Sequence, residues 1–427
     1  MKLTELKQRI AEGALSAYTN LYRDLEHQRV RMLEALDSFA QLYGEDRDVA
    51  LFSVPGRSEI TGNHTDHNLG CVLAGAIDRD IIAVASRNED GCIRFHSEGY
   101  PENKVDLSLV DDPKNFREFT STALVAGMAR GFELADYSIG GFDAYSTTEV
   151  LKGSGISSSA AFEVMVGNIL NHFYNDGNVD NAEIAKIAQY SENVFFGKPC
   201  GLMDQMACAV GGFVFIDFAD PKNPIVEPID FSLSDAGYSL CIINTGGNHA
   251  NLNEDYASVP AEMKAVAALL GGEVLRPFKE EDILSHAKEI RERLGDRALL
   301  RALHFVRENA RVMCAALALK TNDIALFLSM ETQSGNSSFK YLQNVYTVKN
   351  IEEQGLSLAL CLAEQRIREY GYGACRVHGG GFAGTIQAFV RSEYVDEFAR
   401  GMDAVFGDGA SMCLVIRPLG AVKLFGE

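Results

Sequence analysis

The stretch Gly153-Ser154-Gly155-Ile156-Ser157-Ser158-Ser159-Ala160-Ala161 constrains the folding of this chain more than any other. It leads straight into an apolar-periodic run, Phe162-Glu163-Val164-Met165-Val166, so a glycine-rich turn has to open a helix here. Glycine admits left-handed backbone and close approach, and the first N–H groups of a helix lack partners within it. With the positive end of the helix dipole, those groups suit a phosphate, and the serines add donors and a hydroxyl ligand for Mg²⁺. The segment is not a Walker A loop, because no Gly-Lys-Ser/Thr follows and Lys152 precedes the glycines. Alone, such a turn also reads as a plain helix cap. The rest of the chain has to decide.

Bulk properties narrow the choice. A chain of 427 residues, 47% apolar, is long enough for two domains with proper cores. It has no run of about 18 apolar residues, and its charged start, Met1-Lys2-Leu3-Thr4-Glu5, lacks a signal-peptide core. Nine scattered cysteines without a Cys-x-x-Cys pair read as reduced thiols of a cytoplasmic protein. A net charge of −20 disfavours nucleic acid and anionic membranes as partners, so a nucleotide would be held by backbone dipoles, a few basic groups and Mg²⁺.

Periodicity predicts a mixed α and β chain. Residues 1–45 read as a helical extension. Strands are expected at 49–54, 71–77, 81–86, 139–147, 213–217 and 239–244, with a hairpin over 91–97 and 104–110. Helices are expected at 114–133, from the serine turn to 174, and at 181–196. Beyond 256 come long helices (257–270, 280–292, 296–328, 338–347, 351–370), strands at 374–377 and 385–390, then a helix at 393–405 and a strand at 411–417. This gives an α+β class with domains over 46–230 and 231–427 and the site between them.

Two further motifs join the serine turn. One is Val54-Pro55-Gly56-Arg57-Ser58-Glu59-Ile60-Thr61-Gly62-Asn63-His64-Thr65-Asp66-His67-Asn68, and the other is His378-Gly379-Gly380-Gly381-Phe382-Ala383-Gly384-Thr385. In this order the three resemble the motifs of the galactokinase, homoserine kinase, mevalonate kinase and phosphomevalonate kinase (GHMP) superfamily. The first has the form of the galactokinase signature Gly-Arg-x-Asn-x-x-Gly-Glu-His-x-Asp-Tyr, and Gly197-Lys198-Pro199-Cys200-Gly201-Leu202-Met203-Asp204-Gln205 looks like the galactokinase catalytic segment. The resemblance covers roughly residues 45 to 425. It implies a two-domain GHMP kinase fold, with a ribosomal-protein-like N-terminal domain and a ferredoxin-like C-terminal domain.

It also implies roles. ATP and Mg²⁺ are the expected cofactors, with Gly153, Ser154, Gly155, Ser157, Ser158 and Ser159 cradling the phosphates, and Ser159 and Glu192 holding the metal. Asp204 is the expected base or orienting group for the acceptor hydroxyl. It sits among apolar neighbours, and Arg57 is its natural partner. Asn63, His64, Asp66, Gly201 and Tyr256 fall where the resemblance places sugar-binding groups, and convergent short polar side chains suit a polyol. The glycines of the third motif should let backbone approach the phosphates or the serine turn closely.

The chain departs from the family at several positions. Glu59 stands for the usual asparagine and Asn63 for the usual glutamate, His67 replaces tyrosine, and Ala383 replaces a common glycine. Glu59 and Asn63 are expected to keep a reciprocal hydrogen bond with its polarity inverted. The function implied is ATP-dependent phosphorylation of the anomeric hydroxyl of galactose. A 1-kinase for another sugar and a non-catalytic, galactokinase-like sensor are the alternative readings.

Overall fold

The computed structural model describes residues 1–22, 24–150, 156–198, 200–247 and 252–426. In chain order the elements are α1 (Leu3–Ala11), α2 (Leu25–Tyr43), β1 (Ala50–Thr61), β2 (Cys71–Arg87), β3 (Cys92–Ser97), β4 (Asn103–Asp106), α3 (Ser121–Leu134), β5 (Phe142–Thr148), α4 (Ser158–Tyr174), α5 (Asn181–Tyr190), α6 (Met203–Val210), β6 (Phe213–Asp217), β7 (Ile225–Ile229) and β8 (Tyr238–Asn244). They continue with α7 (Asn253–Leu269), α8 (Glu280–Ser285), α9 (Ala287–Leu294), α10 (Asp296–Lys320), α11 (Ile324–Ser337), α12 (Gly355–Glu369), β9 (Ala374–His378), β10 (Thr385–Arg391), α13 (Val395–Phe406), β11 (Ser411–Leu414) and β12 (Val422–Phe425). Contacts group the chain into two units. Unit 1 comprises Met1–Arg57, Ala76–Gly212 and Arg417–Glu427; unit 2 comprises Ser58–Gly75 and Phe213–Ile416.

Unit 1 is built on strands in the order β12-β1-β2-β5-β3-β4. The β3–β5 pair is parallel, while β1–β12, β2–β5 and β3–β4 are antiparallel. Successive residues of a strand face opposite ways, and the sheet uses this to bury both sides. Leu51, Ile82 and Val84 meet Leu3, Leu6, Ile10, Leu36 and Phe39 of α1 and α2. Phe52, Phe95 and Phe142 meet Phe162 and Phe173 of α4 on the other side. The helical extension is therefore a layer of the unit. Its anchor is polar: Arg31 Nη1 bonds Asp80 Oδ1 at 2.6 Å, Tyr22 donates to Asp80 Oδ2 at 2.7 Å, and Arg417 Nη1 lies 3.1 Å from the same oxygen.

That buried carboxylate explains one difference from the sequence pattern. Asp78-Arg79-Asp80 interrupts the apolar run and suggests two strands, but paired Asp80 lets β2 continue unbroken to Arg87.

In unit 2, β6 pairs with β7 and with the Cys71–Gly75 end of β2. A second sheet, all antiparallel, runs β11-β8-β10-β9. Cys241, Ile243, Val377 and Ala388 of this sheet pack with Ala359 and Ala363 of α12 and with Phe398 and Met402 of α13. Phe389 meets Phe327 of α11 edge to face. The remaining helices α7, α8, α9 and α10 share a core of Val259, Met263, Ile283, Ile290, Ala302 and Phe305.

The helix expected over 296–328 divides at Asn322, which is left-handed (φ 56°), and Asp323 caps α11 through Leu326 N. The one expected over 338–347 is a single π turn ending at left-handed Gln343, and α12 begins at Gly355. Among the described residues no helix is long and apolar enough to cross a membrane.

Candidate active site

In unit 1 the site grows from two local features. Ser157 caps α4 in a left-handed conformation (φ 60°, ψ 64°), a strained choice for a serine. Ile156 lies directly over β1, where a Cβ on Gly56 would come within 2.8 Å of Ile156 O and Arg57 N donates to that oxygen at 3.2 Å. Gly56 is thus needed for close approach, and the serine turn and Arg57 are fixed together. Gly153, Ser154 and Gly155, expected to cradle phosphate, lie outside the described residues. Ser158 and Ser159 form the first turn of α4, where N–H groups lack intrahelical partners.

Asp204 lies in the first turn of α6, favoured there by the helix dipole. Arg57 grips it with two bonds, Nε to Oδ1 at 2.7 Å and Nη2 to Oδ2 at 2.8 Å, and Ser157 Oγ donates to Oδ2 as well. Burial alone would raise the Asp204 pKa, but Arg57 and Ser157 outweigh it and hold the carboxyl below its ordinary range. The result is an ionised carboxylate whose side chain keeps a third of its surface exposed.

Glu192 lies in a π turn, Ser191–Phe196, that continues α5, a distortion common at working sites. Lys198 Nζ is 3.1 Å from Oε1, and Gln205 Nε2 donates to Oε2 at 2.8 Å and to Glu163 Oε2 at 3.3 Å. Glu163 Oε1 is buried without a hydrogen-bond partner among the described residues; burial and then the charge of Glu192 push this carboxyl well above the usual range. No group of three or more His, Cys, Asp or Glu side chains forms a metal cage among the described residues. Hard oxygens on Glu192 and on Ser159, in the first turn of α4, nevertheless suit Mg²⁺, which takes one or two protein ligands and keeps water and phosphate for the rest. Gly201 is exposed just ahead of α6.

Unit 2 carries the other expected groups. Asn63 is 1% exposed and faces inward. Its Nδ2 donates to Glu59 Oε1 at 3.1 Å and to Gly379 O at 2.7 Å, while Oδ1 accepts from Asn344 Nδ2 at 2.7 Å and from Ser338 Oγ at 3.4 Å. The Glu59–Asn63 bond read from the exchanged residues is therefore formed. Arg376, fully buried, donates to Glu59 Oε1 at 3.2 Å.

His64 is half-buried and left-handed (φ 58°). Its Nε2 is 3.0 Å from Gly380 O, which only accepts, so Nε2 carries the proton and Nδ1, 3.1 Å from His67 Nε2, accepts from it. Burial and then His67 push the His64 imidazole down to about 4. Asp66 is partly exposed at the rim of the same turn. Tyr256 donates to Gly381 O at 2.8 Å, and a Cβ on Gly380 would meet its ring at 2.7 Å.

Within unit 2, then, the third glycine segment cradles the Asn63–His64 turn and Tyr256, a role the sequence did not suggest. A Cβ on Gly381 would fall 2.0 Å from Asn344 O. Supporting residues escaped sequence reasoning too. His304 Nε2 donates to Asn63 O at 2.9 Å, and Glu308 accepts from Thr61 Oγ1 at 3.1 Å and Gly62 N at 3.3 Å. Burial would raise Glu308, but Arg311 and Arg376 outweigh it and hold the carboxyl down at about 2. The i, i+4 spacing of His304 and Glu308 on α10 was the available signal.

A family model for the GHMP kinases N terminal domain matches residues 123–212, and one for the galactokinase galactose-binding signature matches residues 37–87. Together with the fold, these make the chain a kinase of the GHMP class. Galactokinase from Streptomyces coelicolor is 30% identical across 87% of this chain and 92% of its own length; that from Bacillus subtilis is 29% identical across 84% and 90%. The crystal structure of Lactococcus lactis galactokinase complexed with galactose shares the fold, with TM-score 0.75 and 24% identity over 92% of this chain and 100% of that one. The chain belongs to the galactokinase family.

Proposed function

We propose that this protein transfers the γ-phosphoryl group of ATP to the anomeric hydroxyl of galactose, giving galactose 1-phosphate, in the cytoplasm. The observation that carries the reading is the doubly bonded Arg57–Asp204 pair beside the serine turn. An aspartate kept ionised at neutral pH is ready to accept or orient the proton of an acceptor hydroxyl. Arg57, always charged and planar, would help neutralise the phosphoryl group in transfer. The α4 N-terminus, with Ser157, Ser158 and Ser159, and by resemblance Gly153, Ser154 and Gly155, would receive the phosphates. Ser159 and Glu192 would hold Mg²⁺, whose charge neutralises the phosphates. His64, Asp66, Gly201 and Tyr256 would bind the sugar. A kinase for a different sugar is the second reading, and Asn63 favours it, since a neutral amide stands where the family has a carboxylate.

The test is ADP release by the purified protein with Mg·ATP and galactose, N-acetylgalactosamine, arabinose, glucose or fucose, with Asp204→Asn as control. Turnover on galactose that falls about a hundredfold or more in Asp204→Asn is the expected result. Turnover confined to another sugar would move the substrate, and binding without turnover would leave a sensor.

A further inference from the structure

The amide of Asn63 has two donor and two acceptor positions. All four are taken by groups of the protein: Glu59 and Gly379 O accept from Nδ2, and Asn344 Nδ2 and Ser338 Oγ donate to Oδ1. The carbonyl of Gly379 only accepts, and the Asn344 amide nitrogen only donates, so the amide cannot be turned round. The Asn63 main-chain carbonyl is taken as well, by His304. A side chain 1% exposed with no position left has nothing to give a sugar hydroxyl.

We propose that Asn63 is a pin that holds the turn carrying His64 and Asp66, not a ligand of the acceptor, and that Glu59, Arg376 and Asn344 are positioning residues acting through it. The inference rests on the sugar-kinase reading above for its selectivity consequence, but not for the pin itself. Arg376 fixes the Glu59 carboxylate, which fixes the amide, and the amide fixes Gly379, next to the Gly380 carbonyl that holds His64. One sugar hydroxyl is consequently left unread from position 63, and acceptor discrimination falls to the residues that the pin aligns.

The experiment combines thermal unfolding without sugar and kcat/KM for galactose and 2-, 3-, 4- and 6-deoxygalactose, in four proteins: the natural chain, Asn63→Asp, Glu59→Gln and the double variant. Asn63→Asp sets carboxylate against Glu59 and against Gly379 O. It should lower the melting temperature by several degrees and lower kcat/KM about tenfold or more, by the same factor for every sugar that reacts. Glu59→Gln keeps an oxygen for Arg376 and gains a donor toward position 63, so the double variant should recover much of both losses. Asn63→Ser, which sets no acceptor against an acceptor, carries the melting and deoxy-sugar comparisons if Asn63→Asp does not fold. A loss that disappears for one deoxy sugar alone would show that Asn63 reads that hydroxyl, and would overturn the pin. So would an unchanged melting temperature, or a double variant no better than Asn63→Asp. If the natural chain turns over none of the sugars, the proposed function fails, while the melting series still decides the pin.

Discussion

Glu331 is the sharpest problem at the scale of single residues. It is fully buried, and neither carboxylate oxygen has a hydrogen-bond partner among the described residues. Burial pushes its pKa well above the ordinary value, with Arg376 pulling the other way. A carboxyl whose folded pKa is raised contributes most below its unfolded pKa of about 4.3, and that contribution is lost as pH rises toward the folded value. Glu331→Gln does not titrate. It should therefore match the natural chain near pH 4 and become the more stable protein, by about 1–3 kcal/mol, at pH 8, as read from urea unfolding at both pH values. Glu331 could not be recognised from sequence, because an acidic residue in a helix is ordinarily solvated. Asp204 and Arg57 could be, since their motifs fix residue type and order. Asn63 was legible as an exchange with Glu59, but its inward direction depends on Asn344 and Gly379, far away in sequence.

Elements show a similar division. Long periodic segments such as α2, α4 and α10 are plain in the sequence, whereas α6, β7 and β12 are short and gain their structure from neighbours. β12, for instance, exists by pairing with β1. The junction of β1 with the serine turn is an element-scale device, and Gly56 is its narrowest point. Gly56→Ala would place a methyl 2.8 Å from Ile156 O, a backbone atom that cannot step aside alone. Ser157 would then move off Asp204, so kcat/KM should fall at least about tenfold while the folded state persists. Circular dichroism beside the ADP-release assay checks both halves; unchanged kinetics would mean that the turn tolerates the shift.

At the scale of the whole molecule, a linear reading divides the chain near residues 45 and 230, whereas its contacts divide it after residues 57, 75, 212 and 416. Hydropathy follows the chain in order and cannot register strands such as β1 and β2 that start in one unit and finish in the other. Within unit 1 the ends and middle of the sequence meet at Asp80, which joins Tyr22 and Arg31 of the first segment to Arg417 of the last. Asp80→Ala would leave two buried guanidinium groups without their shared carboxylate, and should cost about 3–5 kcal/mol in urea unfolding. A loss under about 1 kcal/mol would mean that apolar packing of α1 and α2 alone holds the extension in place.

The amide buried at position 63 also bears on how such a chain could have diverged. From the family pattern of asparagine then glutamate, changing the first position alone creates two facing carboxylates beside a buried arginine. Changing the second alone leaves two amides, which can still bond each other. The passable route therefore runs through an asparagine at both positions. Substitutions at 59 and 63 should be inherited as a pair, with a neutral intermediate surviving where an acidic one does not.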